Sequence, residues 1–226
     1  MRALHTTLLK QTPLHDLLQT QRAIWETRDG WQVAARVLSP EREREGLASG
    51  STLTDWSHVC VVTVRGRGAS RCVNLMHEGA DEQTILEWRA HAGLLVARLT
   101  SDEFLLVSER QRPLPSPRED CDAWSQGGGM ACLDLAGPRR NEVWERSTFA
   151  NLRDDLCGPG RVTQTTVHGI RCTILRGGQR DLLLCNRDLA ISLYEALLDV
   201  GEGVGLVPAG LQTCPVALES LAEAPS

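Results

Sequence analysis

HVCVVTVRGRGASRCVNLM, residues 58–76, and GMACLDLAGPRRNEVWERS, residues 129–147, decide the fold. Each stretch is a short apolar run, then a glycine turn, then an amphipathic segment that opens on small or charged residues. Such a run bounded by glycine reads as a strand, and the segment beyond it as a helix. Gly66 and Gly137 stand where the chain reverses and a Cβ would obstruct it. Pro138 suits the first turn of the second helix. The two stretches begin about 70 residues apart.

Each copy leads into a hairpin. Residues 93–108 (GLLVARLTSDEFLLVS) hold two β-like runs joined by Thr-Ser-Asp, and residues 169–185 (GIRCTILRGGQRDLLLC) hold two more around Gly177-Gly178. The second hairpin runs into 187–200, a helix with Leu189, Leu193, Leu197 and Leu198 as its stripe and Gly201 as its stop. Upstream, 13–25 carries Leu14, Leu17, Leu18 and Ile24 at helical spacing behind Pro13. The polar stretch 39–52 reads as a loop. Three prolines and a Gly-Gly-Gly run make 111–129 a long connection. Two copies fall short of a solenoid, which needs three or more. They predict an α+β fold: a pseudo-twofold domain of two strand–helix–hairpin repeats, with antiparallel sheets covered by helices. One domain spans 1–226, its halves at about 53–110 and 129–213.

Composition narrows the function. The 226 residues are 42% hydrophobic, enough for a core without disulfides. Net charge is −5, Lys10 is the only lysine, and arginine is interspersed with Asp and Glu. No basic face emerges, which argues against nucleic acid as a partner. The eight cysteines include no CxxC pair and no repeated Cys/His cluster, and half sit inside apolar runs. They read as small buried hydrophobes, with no metal site. No 18-residue apolar span and no signal-type apolar region occur, so a cytoplasmic protein with reduced thiols and no membrane association is expected. Trp88 and Trp124 lie beside polar loops, a signal for a protein partner; Trp25, Trp31 and Trp144 fall on core-like faces.

Four landmarks carry a family resemblance. They are TPLHDLLQTQRAIWETRDGW (12–31), LTDWSHVCVVTVRGRGASR (53–71), CLDLAGPRRNEVW (132–144) and LYEALLDVGEGVGLVPAGLQT (193–213). In this order they resemble the glycine-cleavage T-protein (aminomethyltransferase) family, over about 200 residues. The resemblance implies a folate pocket at the centre of the domain and one-carbon transfer to tetrahydrofolate. In that chemistry positioning of the reactants supplies much of the barrier lowering, about 7–11 kcal/mol in good cases.

This sequence departs from the family where the chemistry should lie. The family's catalytic Asp falls on Ala80 or, with a one-residue slip, on Asp81. An acidic pair becomes Ala92-Gly93, a loop Glu gives way to Gly177-Gly178-Gln179, and an Arg becomes Cys214. The family's last, barrel-like domain has no counterpart before Ser226. Losing two charge-assisted hydrogen bonds of about 1.5–3 kcal/mol each would weaken folate binding by roughly two to four decades. The resemblance places Asp55, His58 and Val59 on the pocket wall. A turn Asp and a strand His held by backbone groups is the other reading. Arg176 and Arg180 flank the shortened loop; they either meet the glutamate tail of the folate or serve as charges at a hairpin tip.

The chain is therefore expected to be a truncated, catalytically degenerate member. Its expected role is a folate-domain subunit of a heteromeric oxidative N-demethylase, amine oxidase or monooxygenase. The partners would be larger oxidoreductase subunits carrying flavin, haem or iron. Tetrahydrofolate is the cofactor implied, if it is still bound. The alternatives are a stand-alone tetrahydrofolate-dependent transferase and an iron–sulphur-maintenance folate-domain protein. The last has a Lys-Gly-Cys-x-x-Gly-Gln-Glu type motif that Cys157-Gly158-Pro159-Gly160 does not match.

Overall fold

In the computed structural model, residues 8–77, 79, 82–114 and 118–222 are described. The N-terminal part holds β1 (Lys10–Gln11), α1 (His15–Thr20), β2 (Ile24–Arg28), β3 (Trp31–Arg36), α2 (Pro40–Ser49) and β4 (Ser51–Asp55). The helix expected over 13–25 stops at Thr20, because Arg22 takes a left-handed φ of 60° and turns the chain into β2. Ile24 is accordingly exposed, while Leu14 and Leu18 are buried. The loop expected over 39–52 is instead α2 and the start of β4. Ser39 caps the helix by accepting from the Arg42 N–H, and Pro40 begins it.

The next segments are β5 (Cys60–Arg65), α3 (Ala69–Asn74), β6 (Glu87–His91), β7 (Leu94–Arg98), β8 (Glu103–Ser108) and β9 (Asp122–Ser125). Then come β10 (Met130–Ala136), α4 (Arg140–Ser147), β11 (Val162–Val167), β12 (Ile170–Arg176), β13 (Arg180–Asn186), α5 (Ala190–Gly201), β14 (Leu206–Ala209) and a 3-10 turn, Glu219–Ala222. Gly66 and Gly137 have φ of 130° and 119°. A Cβ would lie 2.4 Å from the Asp120 carbonyl at the first and 2.7 Å from the Gly50 carbonyl at the second.

One sheet runs β11-β12-β13-β10-β4-β14 and another β6-β7-β8-β5-β9. All their pairings are antiparallel except β14 on β4. A small sheet, β1-β3-β2, completes the described strands. This is the mixed, largely antiparallel α+β architecture expected from the sequence.

Three packed regions fix the layers. Val61, Leu95, Leu105 and Val107 of one large sheet meet Cys132, Leu175, Leu182 and Leu184 of the other. The opposite face of the six-stranded sheet packs Leu53, Leu133 and Ile174 against Leu14 and Leu18 of α1, Val143 and Trp144 of α4, and Leu193 and Leu197 of α5. The opposite face of the five-stranded sheet packs Val64 and Phe104 against Ala69, Cys72 and Val73 of α3. The two large sheets are thus face to face, with helices outside, and the space between them is the centre of the molecule. Trp88, read from sequence as an exposed anchor, is buried there and donates to the Arg176 carbonyl at 2.8 Å; Trp124 is exposed.

Candidate functional site

Alternation along each strand decides which polar groups face the centre. On β4 and just beyond it, Thr52, Thr54 and Trp56 share one face. On β10, Cys132 and Asp134 share the same side, and on β13, Arg180, Leu182 and Leu184 do. Asp134 registers with Thr54 on one neighbour and Leu182 on the other. Across from them lies the chain after β14. Cys214 places its Sγ 3.2 Å from Thr52 Oγ1, and its carbonyl accepts from Trp56 Nε1 at 3.1 Å. The Arg180 guanidinium lies 5.1 Å from the centre of the Trp56 ring and donates to the Pro215 carbonyl at 3.3 Å.

Asp134 is the unusual member. Its side chain is fully buried, and neither carboxylate oxygen has a hydrogen-bond partner among the described residues. Its ion-pair contact is Arg180 Nε at 3.7 Å. Burial pushes its carboxyl up to about 7, the Arg180 charge opposes this and the Asp181 charge adds to it. Burial likewise raises the Cys214 thiol, with Asp134 adding to the effect and Thr52, Thr54 and Arg180 opposing it. The centre is therefore a buried polar patch, with its thiol kept protonated.

The residues assigned from the resemblance do not converge on this patch. Asp55 follows Leu53 on the opposite face of β4, and registers with Leu133. Its Oδ1 accepts from the Ser57 N–H at 2.9 Å. Burial raises its carboxyl above the usual range, against pulls from Ser57, Thr12 and Arg187. Asp55 thus faces the helical side, since a one-residue step along a strand reverses direction. His58 and Val59 line a pocket of about 160 Å³ with Lys10, Asp29, Trp31 and Gln111, under the small sheet. His58 is buried and its imidazole is pushed down to about 4, by burial first and Arg28 second, with Asp29 opposing.

Arg176 does not stand at a hairpin tip. It is fully buried, paired with Asp181, and donates to Asp154 at 2.8 Å, Asn141 at 2.7 Å and the Cys157 carbonyl at 3.2 Å. Asp181 also accepts from Trp144 Nε1 at 2.7 Å and from the Gly177 N–H at 3.0 Å. A guanidinium so committed holds β12, β13 and α4 together and has little left for a ligand. Arg180, by contrast, does reach the centre. Asp81 lies outside the described residues. His77, upstream of it, lines an open groove of about 680 Å³ with Trp88, Arg89, His91 and Pro159.

Thr52, Thr54, Trp56, Asp134 and Cys214 form the central patch, and sequence reasoning did not assemble them. A signal existed for two: Cys214 stands where the resemblance expects a site Arg, and Asp134 is a lone acid inside the apolar run Cys132-Leu133-Asp134-Leu135. Among the described residues, no group of three or more His, Cys, Asp or Glu side chains is placed to hold a metal.

Comparison with known proteins places this architecture. No protein-family model matches the chain. The aminomethyltransferase of Bacillus subtilis is 24% identical over 226 residues, covering 90% of this chain and 62% of that protein. That of Geobacillus kaustophilus is 26% identical over 229 residues, covering 90% and 62%. The chain is homologous to the aminomethyltransferases. It spans about three fifths of the length of these curated relatives. Among solved structures, the glycine cleavage system aminomethyltransferase T of Bartonella henselae superposes with a TM-score of 0.71 at 19% identity, over 91% of this chain and 60% of that one. A chain of the heterotetrameric sarcosine oxidase of Corynebacterium sp. U-96 superposes with a TM-score of 0.64 at 20% identity, over 87% of this chain and 96% of that one. The aminomethyltransferase fold is therefore common to all three.

Proposed function

We propose that this aminomethyltransferase homologue is a folate-domain subunit of a heteromeric oxidative N-demethylase, amine oxidase or monooxygenase. In this reading it supports the complex, or assists transfer of the released one-carbon unit to tetrahydrofolate, more than it catalyses alone. The observation that carries the reading is the filling of the centre. Trp56, Trp88, Leu211, Leu218 and Leu221 pack between the two sheets, each 3% exposed or less. As arranged, the residues there do not fit a pterin: Asp55 faces the other way, Arg176 is committed to Asp181, and apolar side chains occupy the space. The near-complete overlap with a chain of a heterotetrameric oxidase supports the same choice. The larger partners would carry flavin, haem or iron, and the setting would be the cytoplasm.

The like strand orders β6-β7-β8-β5 and β11-β12-β13-β10 support a further proposal, that one pseudo-twofold domain arose from two repeats. Asp81, which aligns with the family's catalytic Asp by a one-residue slip, remains the proposed general base if catalysis is retained. The homology over 90% of the chain to aminomethyltransferases favours the alternative, a stand-alone tetrahydrofolate-dependent transferase.

Purification from the native host decides between them. The expected result is co-elution, in fixed stoichiometry, with a subunit showing flavin, haem or iron absorbance. A lone monomer that binds tetrahydrofolate would overturn the subunit reading in favour of the alternative.

A further inference from the structure

We propose that Cys72 and Cys121 form a redox latch: a small-molecule disulfide oxidises the two thiols to a Cys72–Cys121 bond, which locks the segment leading into β9 onto α3. The latch is independent of the folate and subunit readings above.

Three observations carry it. First, the backbone brings the two residues together. The Gly68 N–H donates to the Asp120 carbonyl at 2.8 Å, and the Cys72 N–H donates to the Gly68 carbonyl at 3.0 Å. Cys72 thus stands one helical turn beyond the residue that holds Asp120, the neighbour of Cys121. Gly66 and Gly68 permit the approach: a Cβ at Gly66 would lie 3.0 Å from Cys121 Cα, and one at Gly68 would lie 2.4 Å from the Asp120 carboxylate. Second, both side chains turn into one cluster with Val62, Val64 and Phe104, and each thiol is within hydrogen-bonding reach of the other. Both thiols are free in this structure.

Third, the joint lies just beneath the surface. Arg118 and Cys121 close a narrow turn through N–H···O bonds of 3.1 and 3.2 Å, and Arg118, Glu119 and Asp122 are exposed. Arg71 pairs with Asp120 over the joint, but its side chain is 73% exposed, so water and salt screen the pair. A small local opening brings Cys121 to a reagent in solution. The latch also reaches a known surface feature. The His77 N–H donates to the Val73 carbonyl of α3 at 2.9 Å, and His77 lines the open groove with Trp88 and His91. Fixing α3 fixes that wall of the groove.

The exchange balances. The Cys121 thiolate attacks one sulfur of the small disulfide, and a small thiolate leaves. The Cys72 thiolate then attacks the Cys121 sulfur and releases the second small thiolate. Two protein thiols are oxidised, one disulfide is reduced, and the two protons pass to the leaving thiolates. Burial, the Cys72 thiol and the charges of Asp120 and Asp122 push the Cys121 thiol up to about 12. Thiolate is scarce at neutral pH, so the latch closes slowly.

The test uses the full chain. It is incubated with oxidised glutathione, digested without reductant and mapped by mass spectrometry, and its melting is followed by calorimetry. The expected product is a peptide pair joined at Cys72–Cys121 that separates on reduction. The bond closes a loop of about 50 residues, so Tm should rise by roughly 10 °C on oxidation. Cys72→Ala and Cys121→Ala should each abolish both the link and the rise. Closure should quicken about tenfold per pH unit between pH 7 and 9, as the thiolate fraction does. Absence of the Cys72–Cys121 link, or a link formed in its place at Cys172 and Cys185 on the neighbouring strands β12 and β13, would overturn the latch. So would a Cys72–Cys121 link that leaves Tm unchanged or lowers it, because the joined sulfurs would then not fit the folded chain. The map is read on the wild type, so it decides even if both variants fail to fold.

Discussion

Replacing Asp134 by Asn should stabilise the protein, and by an amount that depends on pH. The carboxyl is buried without a hydrogen-bond donor and titrates at about 7 in the fold, against 3.8 as its ordinary value. Below about pH 4 it is protonated whether the chain is folded or not, so it costs nothing there. Between pH 4 and 7 the unfolded chain ionises and the folded one does not, and stability falls with each step. Above 7 both forms are ionised and the loss is complete. Three pKa units at 1.36 kcal/mol each give about 4 kcal/mol. Asn keeps the shape and removes the titration. The variant should therefore match the wild type near pH 4 and exceed it by about 4 kcal/mol at pH 8. Urea unfolding followed by tryptophan fluorescence would show this. With m of about 2–3 kcal/mol/M, the midpoint at pH 8 should rise by about 1.3–2 M. Subtracting the wild-type curve from the variant's at each pH cancels the other groups that titrate, including Asp55 and Asp181. A difference that is flat across pH, or an Asn variant less stable at pH 8, would refute the reasoning, because either result requires Asp134 to be ionised and well paired in the fold.

Two further outcomes follow from the other buried charges. His58 is held neutral with its imidazole at about 4 against 6.5; it contributes stability above pH 6.5 that is lost as pH falls toward 4, about 3 kcal/mol in all. His58→Gln should abolish that part of the acid sensitivity, seen as a flatter urea midpoint between pH 4.5 and 7. Asp181→Ala should cost about 3–5 kcal/mol, because it strands Arg176 and Arg140 in the interior. At about 2–4 °C per kcal/mol for a chain of this size, calorimetry should show Tm falling by roughly 10 °C or more. The double replacement Arg176→Met with Asp181→Leu should recover the Arg176 share of that loss but not the Arg140 share, since among the described residues Arg140 then keeps only Asp154 at 3.8 Å and the Gly177 carbonyl at 3.1 Å.

The parts of the fold that were legible are those in which one physical rule dominates. β5, β10 and the two hairpins are apolar runs ended by glycine or turn residues, and period and punctuation agree there. α2 was hidden because its one indispensable inward group is polar. Glu43 is fully buried and accepts from the Val37 and Leu38 N–H groups at 2.7 and 2.9 Å and from Thr213 Oγ1 at 2.6 Å. A helix anchored by a carboxylate shows no apolar stripe, so 39–52 reads as solvent-facing. β11 was missed for a related reason: Val162-Thr163-Gln164-Thr165-Thr166-Val167 is an edge strand whose partly exposed faces tolerate polar residues.

The site divides along the same line. Motif matching put Asp55, His58 and Val59 on one pocket wall and treated Arg176 and Arg180 alike as loop-flanking charges, because a motif carries order along the chain and not direction. Strand alternation was available to correct part of this. Thr54 and Trp56 must face opposite to Asp55, so Asp55 could not share a wall with Trp56. No local rule could reveal that Cys214, Leu218 and Leu221 return between the sheets, since that contact joins segments far apart in sequence. It is this non-local return that fills the space between the two large sheets.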